Sequence, residues 1–519
     1  MFTQPQQLVP PIAVSGSHPV TPHHIPSLKP GLFSMLVNGV PVATYSNKDY
    51  DFSYLSVGHG PLHLEISASF LINRAHVSPL KFDITPTISG DKLSATLPGP
   101  GYYIIQIGAS NRLVVLADSC LLHPTASSGV GVWNVQGHGA APDGTSISLT
   151  TAAFQSCLDA ASASSDPNAL VFVPPGLYAV GNLVLKSNST LYLSPGATLR
   201  FSPEDKGSYK IHWHKDSQGR RPITWWISTA FGSRNIRVFG SGVLDGNGVA
   251  AARAGIGNNL LVPIATDRFS CEGLLFLNSA SWACTPIMVT DGTFRDCKFV
   301  NRFSEAGEND GIDVMHSENI VVSRAVGIGL DDPFSTKTWC SESDIAASWP
   351  LPDGGQPPAL RGVSFDDTLS WTICFGIKVG AGMWSPQEDI AFRNAVVYDS
   401  SIAVGIHFHS GSSRAKGVLF EDIDVENVTW TNMNISCWCA LMVTGGGAGE
   451  EPPIQDVVVS DVLVRMSGRR HAVLAGQQGR AIERVEFKSV VMPGSTRPAE
   501  TLEDMRFEGV KYVRNITIS

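Results

Sequence analysis

The sequence is poor in charge: only 16% of its 519 residues are Asp, Glu, Lys or Arg. That scarcity excludes a solvated, disordered chain, and 50 Gly with 33 Pro exclude a helical bundle. Lys and Arg (37) are outnumbered by Asp and Glu (46), giving a net charge of −9. The balance speaks against nucleic acid or an anionic membrane as a partner. No apolar run approaches a membrane span. The opening "MFTQPQQLVPPIAVSGSHPV" has neither a basic n-region nor an apolar h-region, so no signal peptide is expected. Cysteine is sparse as well. Nine, at scattered spacings, fit neither a zinc ribbon nor a dense disulfide framework. Four N-x-S/T sequons, at Asn188, Asn427, Asn434 and Asn515, give only weak support for secretion.

What the chain does have is β pattern. "FSMLVNGVPVATYS", "PLHLEISASF" and "GYYIIQIGASNRLVVLAD" alternate polar and apolar residues between turn signals. They predict a small antiparallel β-sandwich over residues 1–125. The Ser/Gly-rich "HPTASSGVGVW", near residues 123–133, reads as a linker. Beyond it, Ala153, Phe154, Cys157, Leu158 and Ala161 fall at helical spacing and predict the one long helix.

From about residue 234 the texture becomes quasi-periodic. "ENIVVSRAVGI", "RGVSFDDTLSW", "EDIAFRNAVVY", "KGVLFEDIDVENV", "QDVVVSDVLVRM" and "ERVEFKSVVM" share a polar-x-apolar-x-apolar core. Many such runs recur at roughly 25–28 residues, the self-similarity of a β-solenoid. The expected architecture is all-β: a β-sandwich, then a parallel β-helix over 126–519. A plain sandwich throughout would need regular NG or DG hairpin turns, which are missing.

One stretch concentrates the acids: "ENDGIDVMHSENIVVSRAVGIGLDDPFSTKTW", from Glu308 to Trp339. Asp310 and Asp331 are 21 positions apart, close to one coil, so they could share a face of a groove. Asp331 and Asp332 are consecutive and would point to opposite faces unless a corner at Pro333 breaks the pleat. An isolated Asp-Asp pair is more often a solvated turn, and Asp366-Asp367 supplies a second one.

"GHGAAPDGTS" before a helix, "VFVPPGLY", "LSPGATL" and "GSGVLDGNG" resemble the opening coils of right-handed β-helix glycoside hydrolases. These are the polygalacturonase and dextranase/isopullulanase types, glycoside hydrolase families 28 and 49. The resemblance covers roughly residues 130–440. "NDGID" stands at the polygalacturonase N-T-D-G position and "GLDDPFSTK" at G-D-D. "CFGIKVG", with Phe375 and Lys378, stands at G-H-G, and "GIHFHSG", with His407 and His409, at R-I-K. The family's Arg and Lys hold a uronate carboxylate, and both are replaced here. An N-terminal sandwich is instead similar to the dextranase/isopullulanase arrangement, whose substrates are neutral α-glucans. That type also has an Asp, an Asp-Asp and a downstream Lys, as at Lys337.

The resemblance implies an inverting hydrolase of an α-linked poly- or oligosaccharide, working without a metal or other cofactor, and it favours secretion. Asp331 is then the general acid, with Asp310 and Asp332 positioning or activating water. Inversion needs one protonated and one ionised carboxyl, about 6.5–9.5 Å apart, and clustering raises at least one pKa. Asp313 is expected to be structural, accepting backbone N–H groups. Lys337, Lys378, His407, His409 and Trp339 are expected at the substrate. Trp225, Trp226, Trp371 and Trp384 are further stacking candidates. The i,i+2 pairs His212/His214 and His407/His409 raise a metal reading, but no carboxylate accompanies either at a telling spacing. Three other functions fit the residues: a polysaccharide lyase, a non-catalytic carbohydrate-binding solenoid, and an intracellular enzyme acting on a small molecule.

Overall fold

The computed structural model describes residues 19–120, 124, 128–216, 219–303, 307–339, 357–447 and 451–519. Nearly all of the opening segment read for a signal peptide, part of the Ser/Gly-rich stretch and Cys340 lie outside the described residues.

The alternating N-terminal runs build two sheets, of six and five strands. In Leu62–Ser67 the residues Leu62, Leu64 and Ile66 are buried while His63 and Glu65 are exposed. Lys92–Leu97 pairs with it antiparallel and alternates likewise. Their apolar faces meet Leu55, Ile105, Leu113 and Val115 of the other sheet in a single core. The strand Asp51–Val57 does not alternate; all seven residues are buried. Its second face explains this, because Phe52, Tyr54, Val114 and Leu116 pack onto Val243, Leu275, Val300 and Val326 of the solenoid. Polar contacts reinforce that seam. Tyr54 Oη donates to the Gly273 carbonyl at 2.8 Å, and Lys298 forms a buried ion pair with Asp118.

From Val132 onward the chain winds as a parallel solenoid, with 18 strands in one sheet and 6 in a second. Leu360 pairs with Gln387, Gln387 with Ala415, and Ile454 with Ile482, so a regular turn takes 27 or 28 residues. The polar pair that opens each run has a backbone cause. Its second residue (Asn319, Gly362, Asp389, Gly417, Asp456, Arg484, Asn515) sits at one level of successive coils. All seven have φ between +55° and +67°, a region Gly, Asn and Asp enter most readily. Inside, the same register stacks Phe365 on Phe392 and Phe392 on Phe420, with centroids 4.6 and 5.4 Å apart. Each buried ring contributes about 1.5–3 kcal/mol.

The helix Ile147–Ala163 closes the start of the solenoid, burying Ala153, Phe154, Cys157, Leu158 and Ala161 as its spacing predicts. Trp438, Phe487 and Phe507 pack together near the other end. No helix among the described residues is long and apolar enough to cross a membrane. The eight described cysteines are free thiols.

Candidate active site

The stretch from Glu308 to Trp339 spans one full turn of the solenoid and runs into the next coil. Ile312–Met315 and Phe334–Thr338 are adjacent parallel strands of the six-stranded sheet, with Ile312 opposite Phe334. Asp310 and Asp332 therefore occupy matching places before their strands, and Gly311 N–H donates to the Asp332 carbonyl at 3.1 Å. The one-coil neighbour of Asp310 is Asp332, not Asp331 as the 21-residue spacing suggested. This coil steps by 22. Close approach requires Gly311, whose Cβ would fall 2.3 Å from the Pro333 carbonyl oxygen. Asp331 and Asp332 lie in the bend between Glu318–Gly329 and Phe334–Thr338, outside both ladders. The pleat is broken there, and donor atoms of Asp331, Asp332 and Cys374 all lie within 4.8 Å of one another. That is closer than the ~6.5–9.5 Å expected of an opposed acid and base.

Two lysines neutralise the cluster. Lys337 Nζ lies 2.5 Å from Asp310, 2.8 Å from Asp313 and 3.9 Å from Asp332. Lys378 Nζ lies 2.6 Å from Asp332. Lys378 reaches this place because its strand pairs with Phe334–Thr338, Lys378 opposite Ser335. Asp313 accepts from Ser335 Oγ and pairs with Lys337, so its partners are side chains rather than the backbone N–H groups expected. Asp310, Asp313 and Asp332 are buried; Asp331 alone is partly exposed.

These surroundings push the carboxyls apart electrostatically. Burial, then the charge of Asp332, raises Asp331 to about 6. Burial would raise Asp332 too, but Lys378 and then Lys337 outweigh it and hold Asp332 below its ordinary value. Asp310 is raised well above the carboxylate range by burial and by Asp313, against the pull of Lys337. Burial acts to lower both lysines, yet the carboxylates, led by Asp310 at Lys337 and by Asp332 at Lys378, raise them. A cation could find three donors at Asp331, Asp332 and Cys374, but the Lys378 ammonium already serves Asp332.

The other expected residues surround this centre. His407 and His409 share one side of their strand and are bridged by Thr444 Oγ1, at 2.7 and 2.9 Å. His407 is buried, its ring 6.1 Å from Phe375 and nearly parallel to it. Burial, then Lys378 nearby, lowers it to about 3, so it is neutral. Trp339 is half-buried in an apolar patch with Trp225, Trp282 and Met315. His212 stacks on Trp225 at 4.0 Å, and His214 Nε2 donates to the Glu308 carboxylate at 2.9 Å; the pair does not converge on one point.

Several residues of the site were not foreseen. Glu308 receives both His214 and Arg221, the latter at 3.1 Å. Trp282 lies under the Lys337 ammonium at 4.2 Å. Cys374 and Thr444 complete the set. Glu308 opens the acidic stretch and offered a signal; Arg221 is 87 residues away and offered none.

No family model matches the chain. It is 33% identical over 185 residues to the exo-poly-alpha-D-galacturonosidase of Dickeya chrysanthemi, covering 33% of this chain and 30% of that protein. It is 30% identical over 286 residues to a probable exopolygalacturonase B of Aspergillus fumigatus, covering 49% and 57%. The matched part thus spans less than two thirds of these curated relatives. Among solved structures, the Yersinia enterocolitica family 28 exopolygalacturonase superposes with TM-score 0.54 at 16% identity, over 88% of this chain and 96% of that one. Dex49A from Penicillium minioluteum superposes with TM-score 0.59 at 12% identity, over 96% of each. The chain resembles the right-handed β-helix glycoside hydrolases. With Dex49A, this β-helix hydrolase likeness extends over the N-terminal sheets as well as the solenoid, and its fold is theirs.

Proposed function

We propose that the protein hydrolyses a glycosidic bond in an α-linked poly- or oligosaccharide. The observation that carries the reading is the contrast between two adjacent carboxyls. Asp331, partly exposed and raised to about 6, is the general acid; Asp332, held ionised by Lys378, is the base. In a single displacement the Asp331 proton passes to the glycosidic oxygen as its bond to the anomeric carbon breaks and a water oxygen bonds to that carbon. Asp332 takes a proton from the attacking water. Asp310 gives one oxygen to Lys337 and has no hydrogen-bond partner for Oδ1 among the described residues, which suits it to orient that water. Lys337 keeps Asp310 and Asp313 together in a buried site where unpaired charge would be costly. Inversion at the anomeric carbon rests on the family likeness rather than on the carboxyl spacing.

Galacturonan is the substrate favoured by the named relatives. A neutral α-glucan is favoured by a specific observation: the neutral His407 and its partner His409 meet at a hydroxyl, and both central lysines are engaged by carboxylates. A digest of galacturonan, dextran and pullulan, with product anomers followed by NMR, decides between them and reports the stereochemistry. Hydrolysis retained in Asp331→Asn refutes the catalytic assignment.

A further inference from the structure

We propose that Phe303 and Trp430 form a sugar-stacking subsite beside Asp331, held in shape by the N-terminal sheets. The inference rests on the hydrolase reading for its substrate class. Trp430 is 40% exposed and Met433 50% exposed, both between the strands Ala415–Val425 and Cys437–Val443. The Trp430 indole lies within 22° of parallel to the Phe303 ring, with centroids 6.1 Å apart. Trp371 backs Phe303 at 4.8 Å, and Tyr50 at 6.0 Å. An exposed, backed aromatic pair presents the flat apolar face that the C–H side of a pyranose covers.

Its position ties it to the reacting centre. Asn432 Nδ2 lies 3.1 Å from Cys374 Sγ, the same atom that lies within 4.8 Å of the Asp331 and Asp332 oxygens. Thr372, next to Trp371, donates to the Asp331 carbonyl at 2.6 Å. The Trp371 side of the shelf is thus bonded to the bend that carries Asp331, and the Trp430 side reaches Cys374 beside it.

The N-terminal sheets supply the anchor. Asp49 Oδ2 accepts Phe303 N–H at 2.9 Å, and Tyr50 Oη donates to the Asn301 carbonyl at 2.7 Å. Asn301 Nδ2 donates to the Asn309 carbonyl at 2.9 Å, while Asn309 Oδ1 accepts Leu330 N–H at 2.7 Å, one residue before Asp331. One hydrogen-bonded path thus runs from the turn at Asp49–Tyr50 to Leu330, the residue before the acid, making Asp49 and Tyr50 positioning residues.

The test titrates oligogalacturonides and isomalto-oligosaccharides of increasing length into the full-length Asp331→Asn protein by calorimetry. Adding Trp430→Ala weakens binding about 5- to 10-fold, the loss growing with chain length. Trp430→Phe restores most of the affinity, and Asp49→Ala gives a smaller loss in the same direction. Equal affinity at every length with and without Trp430→Ala overturns the subsite, as does a failure of every oligosaccharide to bind. If Asp331→Asn still hydrolyses while Trp430→Ala weakens binding, the assignment of Asp331 as the acid falls and the subsite stands. If Asp331→Asn is inactive and Trp430→Ala binds unchanged, the subsite falls and the assignment stands.

Discussion

Replacing Asp331 by Asn should inactivate the protein and, above pH 6, stabilise it. The two effects have one cause. Burial and Asp332 raise the Asp331 carboxyl from 3.8 to about 6, so ionising it in the folded state is penalised. A shift of that size corresponds to about 3 kcal/mol, discounted to about 2 kcal/mol because Asp331 is partly exposed. The sign follows from linkage. With its folded pKa raised, Asp331 contributes its full stability below about pH 4 and loses it as pH rises through about 6. Asn carries no such charge. It also keeps the acceptor used by Asp332 N–H at 3.0 Å. The variant and the parent should therefore unfold together near pH 3.5, and the variant should be more stable by about 2 kcal/mol near pH 8. In a chain this long that is a rise of a few degrees in the calorimetric midpoint. Hydrolysis should fall by about 10²–10⁴-fold, the usual contribution of a general acid. A stability gap that does not change with pH, or a variant less stable at pH 8, refutes the claim that Asp331 is held protonated by its surroundings.

The pH dependence of kcat/KM should form a bell. It rises below the ordinary carboxylate range, as Asp332 ionises, and falls near pH 6 as Asp331 loses its proton; a flat plateau to pH 8 counts against the assignment. Lys378→Met should cost about 3–5 kcal/mol in stability by stranding Asp332, and it should move the acidic limb of the bell upward. Glu426 offers a control outside the aspartate cluster. It accepts Leu80 N–H at 2.6 Å and is raised to about 7, chiefly by burial. Its stabilising contribution is lost as pH rises through 7, so Glu426→Gln should be the more stable above pH 8, with unaltered hydrolysis.

The solenoid was legible because its repeat is written twice in each coil. The alternating run gives the strand, and the polar pair before it marks the left-handed bend at Asn319, Asp389 or Asp456. The order of Asp310, Asp331 and Asp332 was legible for the same reason: the three sit within one turn of the solenoid. Their pairing was not, because the bend at Pro333 sets the step of that coil and 21 and 22 residues look alike in a sequence. Partners from other coils were harder still. Lys378 lies 46 residues from Asp332, and as a lone Lys in "CFGIKVG" it reads equally well as a residue for the substrate.

The two lysines show why the site needs more than three aspartates. Asp310, Asp313, Asp331 and Asp332 crowd one pocket with only Lys337 and Lys378 to oppose them. Fully ionised, that group carries two uncompensated negative charges in a place where an unpaired charge costs several kcal/mol. The less costly state keeps protons on Asp310, where burial and Asp313 outweigh Lys337, and on Asp331. Asp332, shared by both lysines, is the last to take one. Asp331, with neither ammonium within ion-pairing distance among the described residues, is raised to about 6 and is the one of the four that reaches solvent. The proposed division between acid and base thus rests on where two ammonium groups lie relative to four carboxyls. By this argument Lys337 and Lys378 act on the substrate only through the aspartates they hold.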